Sequence, residues 1–497
     1  MARRDAVVDS TAVELGRVIA ALAPARVVGD ARPEILDLAY DSRRAGPGSL
    51  FFCVPGGRAD GHDFASVAAA GGAVALVVER PLELALPQLV VPDARAAMAV
   101  AADEFFGRPT LDLVLAGVTG TSGKTTTAYL LHAILDAAGL EPGLLGTVES
   151  RVGSDRRPAV RTTAEAIDLQ RTFRELLAAG NRSCAMEATS HGSELRRLDR
   201  VRFRALVFTN LSQDHLDFHG TMERYFDAKR RLFVEPEPAP PAAVNVGDEH
   251  GRRLAAELRR LGRAPLLTFG FADDADIRPE GLEQTGAGAR LQADGVELHT
   301  RLLGRFNVEN VLGAVAAGRL LGLPDRAIAA GVERVDGVPG RFETVDEGQP
   351  FAVVVDYAHK PRALENVLRT ARALAPDGRV LCVVGCGGDR DRGKRPLMGR
   401  IASGLADVAI FTSDNPRSEE PAAIIAEMLA GAVGEVDVEP DRRAAIGRAL
   451  DAAAPGDVVV IAGRGHESMQ ELAGGVLVPF DDREVAREAL KRIGARA

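Results

Sequence analysis

The stretch Gly117-Val-Thr-Gly-Thr-Ser-Gly-Lys-Thr-Thr, from Gly117 to Thr126, decides how this chain is read. An apolar run, "LDLVLA", leads into it as a strand, and "TAYLLHAIL" leaves it as a helix. Glycines at this turn let several backbone N–H groups point at one anion, and the following helix offers the positive end of its dipole. Lys124 adds a mobile ammonium and Thr125 a hydroxyl suited to Mg²⁺. The strict phosphate-loop spacing would need glycine where Val118 stands, so the outer glycine here is Gly117. A glycine-rich turn can also exist for packing alone, but the preceding strand and the Gly-Lys-Thr-Thr favour a nucleotide. Candidate ATP contacts are Gly117, Thr119, Gly120, Thr121, Ser122, Gly123, Lys124, Thr125 and Thr126.

Outward from this turn, strands and helices alternate. Upstream, "SLFFCVPG" and "AVALVVER" read as strands with an alanine-rich helix between them, and "LPQLVVPD" closes the block near Val91. Downstream, "CAMEA" and "ALVFTN" read as strands and "GRFNVENVLGAVAAGRLLG" as a helix. After "VDGVPGRFE" the pattern restarts with "FAVVVDY", "RVLCVVGCGG", "VAIFTSDNP" and "DVVVIAGRG", each followed by a helix. Such alternation implies parallel sheets covered on both faces. The expected fold class is α/β in three domains, 1–91, 92–338 and 339–497, the last a Rossmann-like, doubly wound sheet.

Composition excludes several classes. At 46% hydrophobic and 26% charged over 497 residues, the chain is that of a soluble protein of two to four domains. Eighteen consecutive apolar residues occur nowhere, so no membrane insertion is expected. Few cysteines and a start lacking the apolar run of a signal peptide predict a reducing, cytoplasmic setting, and Cys382 and Cys386 are too few for a closed zinc site. A net charge of -9 argues against nucleic acid as partner; small-molecule substrates and a monomer are expected. Lysine occurs only at 124, 229, 360, 394 and 491 among 61 basic residues. A retained lysine therefore marks a place where a compact or titratable amine matters.

The variant spacing of the phosphate turn resembles that of the Mur ligase superfamily, which includes folylpolyglutamate synthases. The resemblance continues along the chain through "MEATSHG" (186–192), "FTNLSQDHLDFHG" (208–220), "DAKRRLF" (227–233), "GRFNVENVL" (304–312), "DYAHKP" (356–361), "GCGGDRDRGKRP" (385–396) and "SDNPRSEEP" (413–421). It implies an ATP-dependent ligase in which a substrate carboxylate is phosphorylated and an amine then displaces the phosphate, with charge on the oxygens met by cations, Mg²⁺ and N–H groups. By resemblance Lys124 meets the β/γ-phosphates, and Thr125, Glu187 and His215 serve as Mg²⁺ ligands. Lys229 would carry a carbamate that also holds Mg²⁺, although by itself it reads as a surface helix lysine. Asn307 would lie on the adenine side, Arg341 would reach the nucleotide from across the second domain junction, and Asp356 and His359 would meet ribose and phosphate.

The resemblance also implies substrates. The segment "YDSRRAGPGSLFFCVPGGRADGHDF" is similar to the uridine-nucleotide domain of tripeptide-forming members, with Tyr40, Ser42, Gly57, Arg58 and Ala59 as contacts. Thr162, Thr163, Thr189 and Arg197 match positions that hold a UDP-muramoyl dipeptide. Ala164 and Leu195 depart from the proline and glutamine common there. Asp414, Asn415, Pro416 and Arg417 form the block that marks users of meso-diaminopimelate, with Arg390, Gly463 and Glu467 completing the site; lysine-adding members differ here. Arginine suits the extra carboxylate of diaminopimelate by a charge-assisted pair. The same loop can also cap the next helix, since Asp, Asn and Pro favour turns.

Overall fold

The computed structural model describes residues 12–57 and 59–494. Arg58 lies outside the described residues, so the contact expected of it has no structural counterpart here.

Three sheets carry the chain. The first runs in the order Arg26–Val28, Gln88–Val90, Ala73–Val78, Ser49–Phe52, Asp37–Ala39, parallel except for its first pair. The second has eight strands, Asp155–Pro158, Glu149–Val152, Pro142–Leu145, Ser183–Glu187, Val114–Thr119, Ala205–Phe208, Ala242–Asn245 and Leu266–Phe269, parallel from the third onward. The third runs Glu343–Thr344, Ala352–Asp356, Val458–Ala462, Val380–Val384, Val408–Phe411, Asp437–Val438, parallel apart from its first strand. The middle strands of the second and third sheets are buried along their whole length, Ser183–Glu187 and Val380–Val384 among them. Helices cover both faces, which is why these strands read as continuous apolar runs.

Two features escaped the alternation rule. Residues 280–300 form a separate antiparallel sheet, Glu280–Thr285, Gly288–Ala293 and Val296–Thr300, whose Leu291, Ala293, Val296 and Leu298 enter the core of the second sheet. Its period-two burial is legible in "ARLQADGVELHT" once strands rather than helices are sought. The pair Glu149–Val152 and Asp155–Pro158 is likewise an antiparallel hairpin.

Helix Ala94–Phe105, capped by Asp93 accepting from the N–H groups of Arg95 and Ala96, buries Ala94, Met98, Ala101 and Phe105 in the core that holds Leu15, Leu50 and Val77. A cut at Val91 would separate this helix from the core it fills. Val338 is buried in the core of the second sheet and Phe342 in that of the third. Among the described residues no helix is long and apolar enough to cross a membrane.

Gly117 takes a packing role. It sits in mid-strand, paired with Met186 and Leu206, and a Cβ there would lie 2.5 Å from Phe203 Cε1. Gly117→Val should therefore cost about 1–3 kcal/mol by overpacking, read from urea unfolding, while Mg-ATP affinity of the folded variant stays within about threefold. A large loss of ATP affinity without loss of stability would restore Gly117 to the nucleotide site.

Candidate active site

The carboxyl ends of the second and third sheets face each other across one cleft, the position at which open α/β sheets bind ligands. On the central side, strand Val114–Thr119 ends in the loop 120–123, and helix Lys124–Ala137 begins. Gly120 and Gly123 have φ of 143° and 87°, and a Cβ on either would collide with Thr209 Oγ1 or Asn310 Oδ1 respectively. Only glycine fits such a turn. Three ammonium groups converge on its carbonyl oxygens. Lys124 Nζ donates to Gly120 O (3.0 Å) and Thr121 O (3.1 Å), Lys229 Nζ to Gly120 O (2.8 Å), and Lys360 Nζ to Thr121 O (3.0 Å).

Burial, followed by the nearby Lys360 charge, pulls Lys124 down to about 8. Lys229 is fully buried, its Nζ 4.7 Å from the centre of the Tyr225 ring. Burial and the charges of Lys124 and Lys360 push it well below the ordinary lysine range, so a neutral amine is accessible. Its ammonium faces the underside of the loop rather than the cleft lining.

Glu187, at the end of strand Ser183–Glu187, accepts from Thr125 Oγ1 (3.0 Å), Thr147 N (2.8 Å) and Thr147 Oγ1 (3.0 Å). His215 Nε2 lies 3.0 Å from Asp214 Oδ2. That partner fixes the tautomer and leaves Nδ1 as the lone-pair nitrogen. Burial lowers His215 and favours the neutral ring. Burial opposes ionisation of Asp214, but Lys360, 2.7 Å away, and His215 hold it well below the usual carboxylate range. Among the described residues no three His, Cys, Asp or Glu side chains gather around a metal position. Mg²⁺ asks for no such cage, because it is held by one or two carboxylates plus phosphate and water oxygens. Thr125 with Glu187, and the neutral His215, fit that mode.

The third sheet supplies the opposite wall. Arg341 Nη2 donates to Thr125 Oγ1 (3.1 Å), its guanidinium 4.5 Å from the centre of the Tyr357 ring. Asp356 Oδ2 accepts from Phe342 N (2.6 Å), and burial raises its carboxyl from 3.8 to about 6. His359 Nδ1 is 2.7 Å from Tyr357 O, and burial with the charges of Lys360 and Lys394 keeps it neutral. Thr121 to Thr126, Thr162, Glu187, Thr189, His215, Arg341, Asp356 and His359 all line the cleft. Thr119, Gly120 and Asn307 stand behind it. Asn307 donates to Leu303 O (2.8 Å) and accepts from Asn310 Nδ2 (2.9 Å). Asn310, one turn further along helix Arg305–Leu320, is the asparagine that reaches the cleft, beside Glu309, Phe306 and Asn245.

Thr162, Thr163 and Thr189 form a hydroxyl chain next to Glu187. Thr162 Oγ1 meets Thr147 Oγ1 (3.0 Å), Thr163 Oγ1 donates to Glu187 O (3.0 Å), and Thr189 Oγ1 lies 3.0 Å from Thr163 Oγ1. Arg197 donates to Thr163 O (3.1 Å) and pairs with Glu165. The N-terminal candidates stand apart from the cleft. Tyr40 Oη donates to Asp168 (2.5 Å), tying the first domain to the second; Ser42 opens a 3₁₀ turn capped by Asp41, and Gly57 and Ala59 lie in the loop bridged by Pro55 and Asp60.

A second cluster sits on the third sheet's loops. Arg417, at φ 51°, donates through Nε to Glu471 (2.7 Å) and through Nη1 to Gly388 O (2.8 Å). Asn415 donates to Glu467 (2.8 Å) and accepts from the buried Arg464 (2.6 Å). Burial and the nearby Asp414 carboxylate raise Glu467. Asp414 lies against Gly463, Pro416 O accepts from Glu419 N, and Arg390 donates to Asp389 O at the surface. Tyr357 links the clusters, between Arg341 and His466. Sequence reading missed Lys360, Asp214, Thr147 and Asn310; for Lys360 the scarcity of lysine was the available signal.

Asp356 gives a pH test. Its folded pKa is raised, so between about pH 4 and 6 the unfolded chain gives up this proton first, and stability falls as pH rises through that window. Asp356→Asn removes the term while keeping an acceptor for Phe342 N–H. The stability difference, wild type minus variant, should drop by on the order of 2–3 kcal/mol across that window in urea titrations. A flat difference would show that Asp356 ionises normally.

Residues 118–318 match the Mur ligase middle domain, 340–465 the Mur ligase glutamate ligase domain, and 34–105 the Mur ligase family catalytic domain. A UDP-N-acetylmuramoyl-L-alanyl-D-glutamate–2,6-diaminopimelate ligase of Geobacillus kaustophilus is 47% identical over 93% of this chain and 96% of its own. One of the same name from Solibacter usitatus is 48% identical over 93% and 95%. A solved structure of a ligase so named superposes with TM-score 0.69 at 32% identity, covering 97% of this chain and 100% of the other. With its phosphate loop, opposed sheets and these relatives, the chain belongs to the Mur ligase family.

Proposed function

We propose that this protein is an ATP- and Mg²⁺-dependent ligase that joins meso-diaminopimelate to UDP-N-acetylmuramoyl-L-alanyl-D-glutamate in cytoplasmic cell-wall precursor synthesis. One observation carries the reading: a single cleft has a lysine-rich phosphate loop with Glu187 on one wall and Arg341, Asp356 and His359 on the other, and Tyr357 leads from it to Glu467. The names of the similar ligases support the substrates. The division proposed is three domains, cut after Phe105 and at Val338.

The residues divide the work by charge. The loop N–H groups and Lys124 hold the β- and γ-phosphates of ATP, and Asn310, Glu309 and Phe306 form the wall beyond them, suited to the base. Thr125, Glu187 and His215 would hold Mg²⁺, which draws electron density from the phosphoryl oxygens when bound. Lys229, whose burial pushes its amine toward the neutral form, would take up CO₂ as a carbamate. The threonine chain 162, 163 and 189 with Arg197 orients the dipeptide, with Ser42 and the 57–59 loop on its uridine end. Its carboxylate accepts the γ-phosphoryl group, and the amine of diaminopimelate then attacks the acyl carbon. Arg417 grips the distal carboxylate, and Glu467 with Asp414 receives the distal ammonium. L-Lysine lacks that carboxylate, and a site built on such a polar contact rejects the analogue.

Purified protein with Mg-ATP and the dipeptide should release ADP with meso-diaminopimelate and not with L-lysine. Arg417→Lys should lower kcat/KM for diaminopimelate by about 10- to 100-fold, the loss of a charge-assisted pair. Turnover with lysine in place of diaminopimelate would keep the ligase class and sink the role of Arg417; silence with both would sink the substrate assignment.

A further inference from the structure

Lys360 has no assigned part in the reaction as described, yet its surroundings are those of a phosphate ligand. It is the N-cap residue of helix Pro361–Leu374 in the third domain, and its side chain crosses to the second. There it is 10% exposed, 2.7 Å from Asp214 Oδ2 and 3.0 Å from Thr121 O. Lys124 Nζ bonds the same Thr121 oxygen at 3.1 Å. Two ammonium groups on one carbonyl repel each other; Asp214 faces Lys360, and Glu187 and Asp214 face Lys124, beneath which the third lysine, Lys229, adds its charge. Such a pair is the field that a multiply charged anion neutralises. Lys360 also lines the cleft, next to His359 and opposite Ser122 and Gly123. In a chain that makes nearly all its cations from arginine, a lysine here preserves a compact, directable charge.

We propose that Lys360 is a catalytic residue: its ammonium, delivered from the third domain, contacts the γ-phosphoryl group of ATP during transfer, opposite Lys124. The identity of the acceptor rests on the reading above; the phosphoryl contact does not. In the step concerned, a carboxylate oxygen of the acceptor forms a bond to the γ-phosphorus. The bond from that phosphorus to the β,γ-bridging oxygen breaks, and its electron pair stays on ADP. No proton moves. Charge on the equatorial oxygens is what Lys360 and Lys124 hold between them.

The test is binding of Mg-ADP alone against Mg-ADP with tetrafluoroaluminate, a mimic of the group in flight, by titration calorimetry of the full chain. Lys360→Gln should weaken the tetrafluoroaluminate complex by about 10²-fold, the scale of one lost donor at a developing charge, and change Mg-ADP affinity by no more than about threefold. Removing one partner of a buried pair can unfold a protein, so a second variant, Lys360→Arg, keeps a charge opposite Asp214 and should bind Mg-ADP as the wild type does while recovering only part of the tetrafluoroaluminate affinity. Equal weakening of both complexes would make Lys360 a structural tie between domains and overturn the proposal, as would no weakening of either. Diaminopimelate-dependent ADP release by the wild type, measured alongside, reports on the substrate assignment separately. Its failure with the tetrafluoroaluminate split intact would leave Lys360 in place on a ligase of other substrates.

Discussion

Two carbonyl oxygens, those of Gly120 and Thr121, carry three ammonium groups at the start of one helix. Like charges at such spacing repel by a few kcal/mol at the effective dielectric of protein interiors, and the helix dipole adds positive potential at the same place. The fold tolerates the arrangement because each ammonium is anchored on a different element. Lys124 comes from the helix that leaves the loop, Lys229 from helix Met222–Val234 beneath it, and Lys360 from the third domain. None can retreat without giving up its hydrogen bond in a buried setting. A concentrated positive site is therefore built into the covered junction of two domains, and phosphate is the chemistry that relieves it.

That junction joins a set of polar contacts to a small apolar one, where Leu303 and Phe306 of the second domain pack against the core of the third. Arg341 to Thr125, Arg362 to Asp248, Gln213 to Asp391 and Lys360 to Asp214 all cross it, while the fully buried residues of the second and third sheets form distinct clusters. Interfaces of this polar kind inside one chain part and re-form more readily than apolar ones. The hydroxyl of Thr125 takes part directly, since it donates to Glu187 from one domain and accepts from Arg341 of the other. Proper placement of that hydroxyl thus depends on both domains being present at once.

Legibility in the sequence followed locality. The strands of the third sheet and the phosphate loop were readable because their signals are contiguous: apolar runs bounded by glycine, and Gly-Lys-Thr-Thr at a helix start. The antiparallel sheet at 280–300 was missed because its strands are half exposed and short, and the surrounding βα rhythm suggested more of the same. Gly117 and Asn307 show the other limit. Both belong to the right blocks, yet one is a small residue demanded by Phe203 and the other a brace for Asn310. A block tells which segment reaches a site; only packing tells which of its side chains does. Lys360 and Asp214 were opaque for the same reason, each lying in a recognised motif and acquiring its meaning from a partner in a different domain.

The amino-acid loops carry this reasoning to specificity. Arg417 is held in a left-handed backbone conformation, which a non-glycine residue adopts at a cost, and it is already paired with Glu471 and Gly388 O. An arginine so braced cannot swing to find an anion, and it presents its remaining donors in one direction. Glu471 is partly exposed, so it neutralises the guanidinium incompletely and leaves net attraction for a second carboxylate. Around it stand Glu467, held high by burial and by Asp414, and the fully buried Arg464 that pins Asn415. On the substrate reading proposed, this alternation of fixed positive and negative groups matches a zwitterion at the far end of the incoming amino acid. An amine alone would satisfy Glu467 and leave the remaining donors of Arg417, those not held by Glu471 and Gly388 O, without a carboxylate. Discrimination then arises from a rigid donor left unpaired, rather than from the size of the pocket.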